Sequence, residues 1–388
     1  MRIAIFTDSF LPGVGGTENA VLGLATELSK ENEVAVFCPS CKKEVENLPF
    51  KVFRCKSIGI GGNDQISFPR FSSKFKKEIK NFAPDIIHCQ SVSGVANAGL
   101  RYARKNNIPV LFTIHTKFKD AFEQGLKFKF LSNAYLRLIA KRINKSDLCC
   151  TVCQSMVDEI GYYDDLLKKQ AEEPPRCKDV KIIRNGMVFE RELLSEDIKK
   201  FALDKYKLGQ ASAVLLFVGR ISKLKNLDLV FETLKNLKNQ NYKMLVVGVG
   251  QDLNYYKKLV KKEGLEEKVV FTGKVPIDEL KSIYYNADLF VFPSIFDNDP
   301  LVVTEASLFQ TPSITLAGTG SSERITDMQN GFIAKDEKDF AEKIDFLIEN
   351  KHILKECGEK AEWEIPKSWE TVAKEYMEVY KKLIKAKK

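Results

Sequence analysis

Histidine and tryptophan are scarce in this chain, with three and two residues among 388. No window approaches the roughly 18 uninterrupted apolar residues that a membrane-crossing helix needs. The first acid arrives at Asp8, too early for the apolar region of a secretory leader. Nine cysteines, an odd number spread along the chain, do not form a disulfide framework and read as reduced cytosolic thiols. The tightest group, Cys149, Cys150 and Cys153, has no second ligand pair, and His88, His115 and His352 are all remote from it. No metal is expected there, and Leu148–Val152 reads as a buried strand carrying small apolar thiols. With 22 glycines, 13 prolines and no low-complexity tract, the chain is neither collagenous nor disordered. Lys and Arg number 61 against 52 acids, a net charge of +9. That excess is too small over this length to indicate a nucleic-acid partner. The cytoplasm is the expected location.

What the chain does contain is a repeated rhythm. Ile3–Phe6, Val34–Phe37, Ile86–His88, Val110–Ile114 and Leu148–Val152 are short apolar runs of buried-strand type. Glu18–Ser29, Ser73–Asn81 and Gly94–Lys105 between them have helical patterns. After a polar stretch, Lys168–Lys181, the rhythm restarts. Ala213–Val218, Met244–Val247, Val269–Phe271, Leu289–Phe292 and Ser313–Leu316 are a second set of strands, with helices near 227–237, 253–263, 277–286 and 304–309. The expected fold is α/β: two facing, doubly wound, Rossmann-like domains, residues 1–187 and 188–366. The pattern over Glu362–Lys388 predicts a long amphipathic helix, its residues 367–388 returning to the first domain.

Four loops at strand ends carry candidate chemistry. Pro12-Gly13-Val14-Gly15-Gly16-Thr17-Glu18 follows a strand and opens a helix, where glycine admits a close ligand and the helix N-terminus favours an anion. It lacks the third glycine of a dinucleotide fingerprint and the Gly-Lys-Ser/Thr of a P-loop. His115 ends a buried strand, as a ligand contact or as a hydrogen-bonded core histidine. Gly219-Arg220 through Lys225-Asn226 places a guanidinium fork and an ammonium after the next domain's first strand, suited to a diphosphate. Lys223 reads as surface charge. Asp297 and Glu305, eight residues apart, run from a strand end into a helix. They suit sugar hydroxyls, or else Asp297 and Asp299 simply cap and solvate the helix.

Taken in order, these loops resemble the retaining glycosyltransferases of family 4 (glycosyl transferases group 1), which have the GT-B fold. The resemblance covers nearly the whole chain: Gly15-Gly16-x-Glu18, His115-Thr116, Asn185-Gly186, Gly219-Arg220 with Lys225-Asn226, Val247-Gly248-x-Gly250, Phe271-x-Gly273, the Asp297-x7-Glu305 pair and Ser368-Trp369-Glu370. It implies that Arg220 and Lys225 hold the diphosphate of a nucleotide-sugar donor such as a UDP-sugar or GDP-sugar. Glu305 would take the ribose and Asp297 the donor sugar, with Gly219, Leu301 and Val302 lining the donor site. His115 would contact the sugar near its reacting carbon, and Gly15-Gly16 would lie against phosphate and acceptor. No metal or other cofactor is required if two cations stabilise the leaving group. The family's usual explanation is front-face transfer, with the leaving phosphate taking the acceptor's proton. Three features depart from the family: Asp297 stands where glutamate is usual, Asn298-Asp299-Pro300-Leu301 replaces a common Phe-Gly, and Gln310 stands where glycine is usual.

The acceptor side is expected on the first domain, with Glu18, Lys117, Phe118, Lys119 and Phe122 among its residues. Lysines interleaved with aromatics there, and again at Phe71, Lys74, Phe75, Lys76, Lys77 and Lys80, suit an anionic membrane surface. A lipid-linked or cell-envelope glycan acceptor and peripheral attachment to the inner face of the cell membrane are therefore expected. The alternatives are a nucleotide-sugar epimerase or hydrolase of the same fold, or a binding subunit with a decayed site.

Overall fold

The protein is described by a computed structural model covering residues 1–13, 15–41, 47–61, 64–92, 94–119, 129–168, 180–187, 189 and 193–387. The chain divides into two compact units, Met1–Gly186 with Lys367–Lys388, and Met187–Pro366.

Among the described residues the first unit holds nine strands: β1 (Arg2–Phe6), β2 (Glu33–Pro39), β3 (Lys51–Cys55), β4 (Ser57–Gly61), β5 (Asp64–Ser67), β6 (Ile86–Cys89), β7 (Val110–Ile114), β8 (Leu148–Thr151) and β9 (Val180–Ile182). Seven form a parallel sheet in the order β3-β2-β1-β6-β7-β8-β9, and β4 and β5 make a separate antiparallel hairpin. In β1 the residues Ile3, Ala4, Ile5 and Phe6 are all fully buried, because a doubly wound sheet is covered on both faces. Their side chains alternate between two cores. Ala4 and Phe6 join one; Ile3 and Ile5 join the other.

The chain's last helix completes that second core. Trp369–Lys387 is one helix, and Val372, Ala373, Tyr376, Val379 and Tyr380 bury against Ile3, Ile5, Val21 and Leu24. Their spacing follows the 3.6-residue period of one helical face. At about 1.5–3 kcal/mol for each large apolar side chain buried, this stripe contributes on the order of 10 kcal/mol before entropy is counted. The single helix expected over Glu362–Lys388 is in fact two, Lys351–Glu364 and Trp369–Lys387. Pro366 lies between them, where a missing N–H and a fixed φ end a helix. Trp363 consequently stays exposed in the second unit, while Trp369 belongs to the first. A Cβ on Gly23 would come within 2.2 Å of the Trp369 ring and one on Gly186 within 2.5 Å, so only glycine fits on either side of that indole.

The second unit has one parallel sheet of β10 (Ala213–Val218), β11 (Tyr242–Val247), β12 (Val269–Gly273), β13 (Leu289–Phe292), β14 (Ser313–Leu316) and β15 (Phe332–Ala334). Their order is β12-β11-β10-β13-β14-β15. Gln310, one of the departures, sits in the left-handed region at φ +59°, the conformation that explains why glycine suits this position.

Candidate active site

In each sheet the strand order reverses once, and the crevice beyond the strands' carboxyl ends at such a reversal is where open α/β sheets bind ligands. In the second unit it reverses between β10 and β13, so the loops after these strands are neighbours. Gly219, Arg220 and Lys225 come from the first loop and Asp297 from the second. Lys225 Nζ lies 2.7 Å from Asp297 Oδ1 and 2.5 Å from Oδ2, and the Ser294 hydroxyl donates to Oδ2 at 2.5 Å. The ammonium also sits 5.6 Å from the centre of the Phe292 ring. Arg220 is exposed and makes no ion pair among the described residues.

Two further glycine motifs hold this loop in shape. A Cβ on Gly248 would stand 2.0 Å from the Gly219 carbonyl oxygen, and one on Gly250 2.0 Å from that of Ile221. Backbone therefore packs on backbone, with Ile221 N donating to Val249 O at 3.0 Å and Gly248 N to Gly273 O at 2.9 Å. Gly248-x-Gly250 and Gly273 thus set the course of the Gly219-Arg220 loop. Lys223 is exposed, 4.5 Å from the centre of the Tyr255 ring.

Glu305 lies in the helix Leu301–Leu308 and is buried. Burial pushes its carboxyl up to about 7, against a smaller lowering by the Tyr284 hydroxyl, which donates to Oε2 at 2.8 Å. Leu301 is buried and Val302 half-buried in the same helix. Asp299 neither caps nor solvates: it is buried in a two-pronged pair with Arg324, at 2.5 Å to Nε and 2.8 Å to the terminal nitrogen. That pair ties the loop to the short helix Gly320–Arg324, where a Cβ on Gly320 would meet the Asn298 carbonyl oxygen at 2.0 Å. Asp297 is not a surface cap either, given its pairing with Lys225.

In the first unit the order reverses between β1 and β6. Gly15, extended at φ −170°, precedes the helix Gly16–Ser29. Glu18, buried in that helix's first turn, lies against Gly15, whose Cβ would stand 2.6 Å from Oε2. Its carboxylate lies in the first turn, where the helix dipole favours negative charge. Gly16 is open, with nothing within 4 Å of a Cβ. His115, after β7, is half-buried and hydrogen-bonded through Nε2 to Gln90 Oε1. Lys117 and Phe118 are half-buried, Phe118 packing on the core rather than standing out from it. Lys119 N donates to Glu159 Oε1 at 2.8 Å, and its ammonium lies 4.8 Å from the centre of the Tyr162 ring. Phe122 lies outside the described residues. Phe75 is buried at 1% exposure, against 75% for Phe71.

Four partners were not singled out in the sequence: Ser294, Tyr284, Arg324 and Gln90. Gln90 alone had a local signal, because His88 and Gln90 are two apart at a strand end and so share one face. Among the described residues, no group of three or more His, Cys, Asp or Glu is placed to hold a metal ion, and no helix is long and apolar enough to cross a membrane.

The family model for glycosyltransferase family 4 matches residues 14–165, and that for glycosyl transferases group 1 matches residues 199–363. Together they span both units. The chain belongs to glycosyltransferase family 4. It is a nucleotide-sugar-dependent glycosyltransferase, similar to the alpha-monoglucosyldiacylglycerol synthase of Streptococcus pneumoniae (26% identity over 92% of this chain and 81% of that one). It is also similar to a GDP-mannose-dependent alpha-mannosyltransferase of Corynebacterium glutamicum (23% identity, 99% and 89% covered). Among solved structures, Anabaena HepE in complex with UDP has the same fold, with a TM-score of 0.77 over 98% of this chain and 100% of that one at 18% identity. This glycosyltransferase therefore has the GT-B architecture of two Rossmann-like domains and a C-terminal helix.

Proposed function

We propose that this glycosyltransferase moves a sugar, with retention of anomeric configuration, from a nucleoside-diphosphate sugar to a hydroxyl of a lipid-linked or cell-envelope glycan acceptor. The observation that carries the reading is the convergence of Lys225, Asp297 and Ser294 at the β10/β13 reversal, one turn of loop from the exposed Arg220. As the donor bond breaks, the departing nucleoside diphosphate gains negative charge. Arg220 offers a planar fork and Lys225 a point charge to stabilise it without a divalent ion. Lys225 would then trade part of its pairing with Asp297 for phosphate oxygen, leaving Asp297 for the donor sugar's hydroxyls. Glu305, once ionised, would accept from the ribose hydroxyls. The resemblance assigns His115 the donor sugar near its reacting carbon. The retaining course follows from that resemblance too, the leaving phosphate taking the acceptor's proton on the same face.

The relatives' names support a glycolipid acceptor, since two are synthases of a glucosylated diacylglycerol. The surface supports it as well. Ile58 and Ile66 face each other across the β4–β5 hairpin and are 63% and 49% exposed. Exposed Phe71 follows, with Arg70, Lys74, Lys76, Lys77 and Lys80 also exposed. Exposed apolar side chains followed along the chain by exposed cations suit an anionic membrane surface. This hairpin and helix replace the Lys117–Lys119 stretch as the leading candidate for that face.

A panel of UDP- and GDP-sugars, with and without membrane extract, tests the reading through release of nucleoside diphosphate. Lys225→Ala should cost at least about 100-fold in turnover, the scale of losing one preorganised charge at a departing group, while circular dichroism stays unchanged. No release with any donor, or a near-normal Lys225→Ala, overturns it.

A further inference from the structure

His115 does not stand alone at its strand end. It opens a line of hydrogen bonds that runs inward to the chain's last helix. His115 Nε2 is bonded to Gln90 Oε1. Gln90 Nε2 lies 3.2 Å from His88 Nε2. His88 Nδ1 lies 2.7 Å from the Tyr380 hydroxyl. His88, Gln90 and Tyr380 are buried, at 0%, 3% and 0% exposure.

With the Gln90 amide oxygen toward His115 and its nitrogen toward His88, the line runs in one direction. An amide oxygen only accepts, so His115 Nε2 must carry the proton that it donates to Gln90. An amide nitrogen only donates, so His88 Nε2 must accept. His88 is neutral, since burial pushes its imidazole down to about 3, and so its one proton is on Nδ1, donated to Tyr380. The Thr113 hydroxyl, 2.7 Å from the same Nε2, donates there as well and accepts in turn from Tyr376 at 3.1 Å. This assignment gives each of these five contacts one donor and one acceptor.

We infer that Gln90, His88 and Tyr380 are positioning residues for the transfer reaction: through them the C-terminal helix fixes His115 as the Nε2–H tautomer. The inference rests on His115 serving the reacting site, as proposed above. The arrangement resembles in logic any buried partner that sets a functional imidazole's tautomer from behind.

The chain's small histidine content makes the test direct. With three histidines in the sequence, selective ¹⁵N-histidine labelling gives a long-range spectrum of three rings. At pH 8 it should show His115 as Nε2–H and His88 as Nδ1–H. Tyr380→Phe removes the acceptor for His88 Nδ1–H. His88 should then move its proton to Nε2, Gln90 should turn its oxygen inward, and His115 should change to the Nδ1–H form. Gln90→Met should leave His115 in mixed tautomers and lower kcat on the order of 10–100-fold, with donor KM changed less than about threefold. A shift of tautomer transmitted from His88 to His115 through two hydrogen bonds, with the fold intact by circular dichroism, is not produced by loss of packing alone.

Opposite tautomers in the wild type, or a His115 tautomer unmoved by Tyr380→Phe, overturn the inference whatever the activity. Correct tautomers with unchanged kcat in Gln90→Met also overturn it, while leaving the glycosyltransferase reading standing. The reverse failure, no transfer by the wild type with any donor, strikes that reading and not the tautomer assignment.

Discussion

Replacing Glu305 by glutamine separates two properties that the same carboxyl controls. Burial lifts its proton affinity from the ordinary 4.5 to about 7 in the folded protein, and the unfolded chain keeps the ordinary value. Below pH 4.5 both states hold the proton, and the carboxyl costs folding no charge burial. As pH rises, the unfolded chain ionises first and stability falls, until the folded carboxyl ionises near 7 and the loss is complete. Over that window, at about 1.4 kcal/mol per pH unit, the loss comes to about 3 kcal/mol. The glutamine variant has no proton to lose. Its absolute stability depends on how the new amide NH₂ is received in the buried site, so the decisive quantity is a difference of differences. Urea unfolding at pH 5 and pH 8 should show wild type losing about 2–3 kcal/mol more than Glu305→Gln between the two. Changes in the two proteins that agree within about 0.5 kcal/mol would refute the reasoning. The same carboxyl must ionise to accept from ribose hydroxyls on both oxygens. Wild-type donor KM should therefore rise as pH falls through about 7, and the variant's should be flat.

Gly250→Ala forces a Cβ onto the Ile221 carbonyl oxygen, 2.0 Å away. It should destabilise by about 2 kcal/mol or more in urea unfolding and weaken donor binding with it. Asp299→Ala takes away the carboxylate paired with the Arg324 guanidinium, whose side chain is 5% exposed. A cost of about 3–5 kcal/mol is expected, with much of it recovered in Asp299→Leu/Arg324→Met, again by urea unfolding. Trp369→Ala empties the slot between Gly23 and Gly186 and should cost about 3 kcal/mol, read as a lowered thermal midpoint.

The α/β architecture was legible because central strands of a parallel sheet are continuous apolar runs. Ala213–Val218 and Leu289–Phe292 have the ends in the structure that their composition predicts. The edge strands β3 and β15 were not. β3 is half-buried along most of its run and carries Lys51 and Arg54, and β15 has three residues, too few to show a period. Among the site residues, those at strand ends could be singled out from their place in the rhythm. Their partners could not: Arg324 is 25 residues from Asp299 and Tyr284 is 21 from Glu305, and nothing local in either segment marks the pairing. The same holds for Asp299 itself. An acid before a helix reads as a cap unless a distant arginine is known to reach it. Phe75 and Phe118 show the converse, since lysines beside them suggested an exposed aromatic face where the helix period turns Phe75 into the core.

The return of the last helix to the first unit has a consequence for synthesis. The first unit is discontinuous in the chain, its final piece, Lys367–Lys388, arriving 180 residues after Gly186. On the ribosome, the sheet face formed by Ile3, Ile5 and Val36 emerges early, and only the helix Gly16–Ser29, not the last helix, is on hand to cover it while the whole second unit is made. The second unit, contiguous from Met187 to Pro366, has all its own core in hand when Pro366 appears. The later-made half can therefore finish folding first, and the earlier-made half waits for Lys367–Lys388 to emerge, when Trp369 can close against its two glycines.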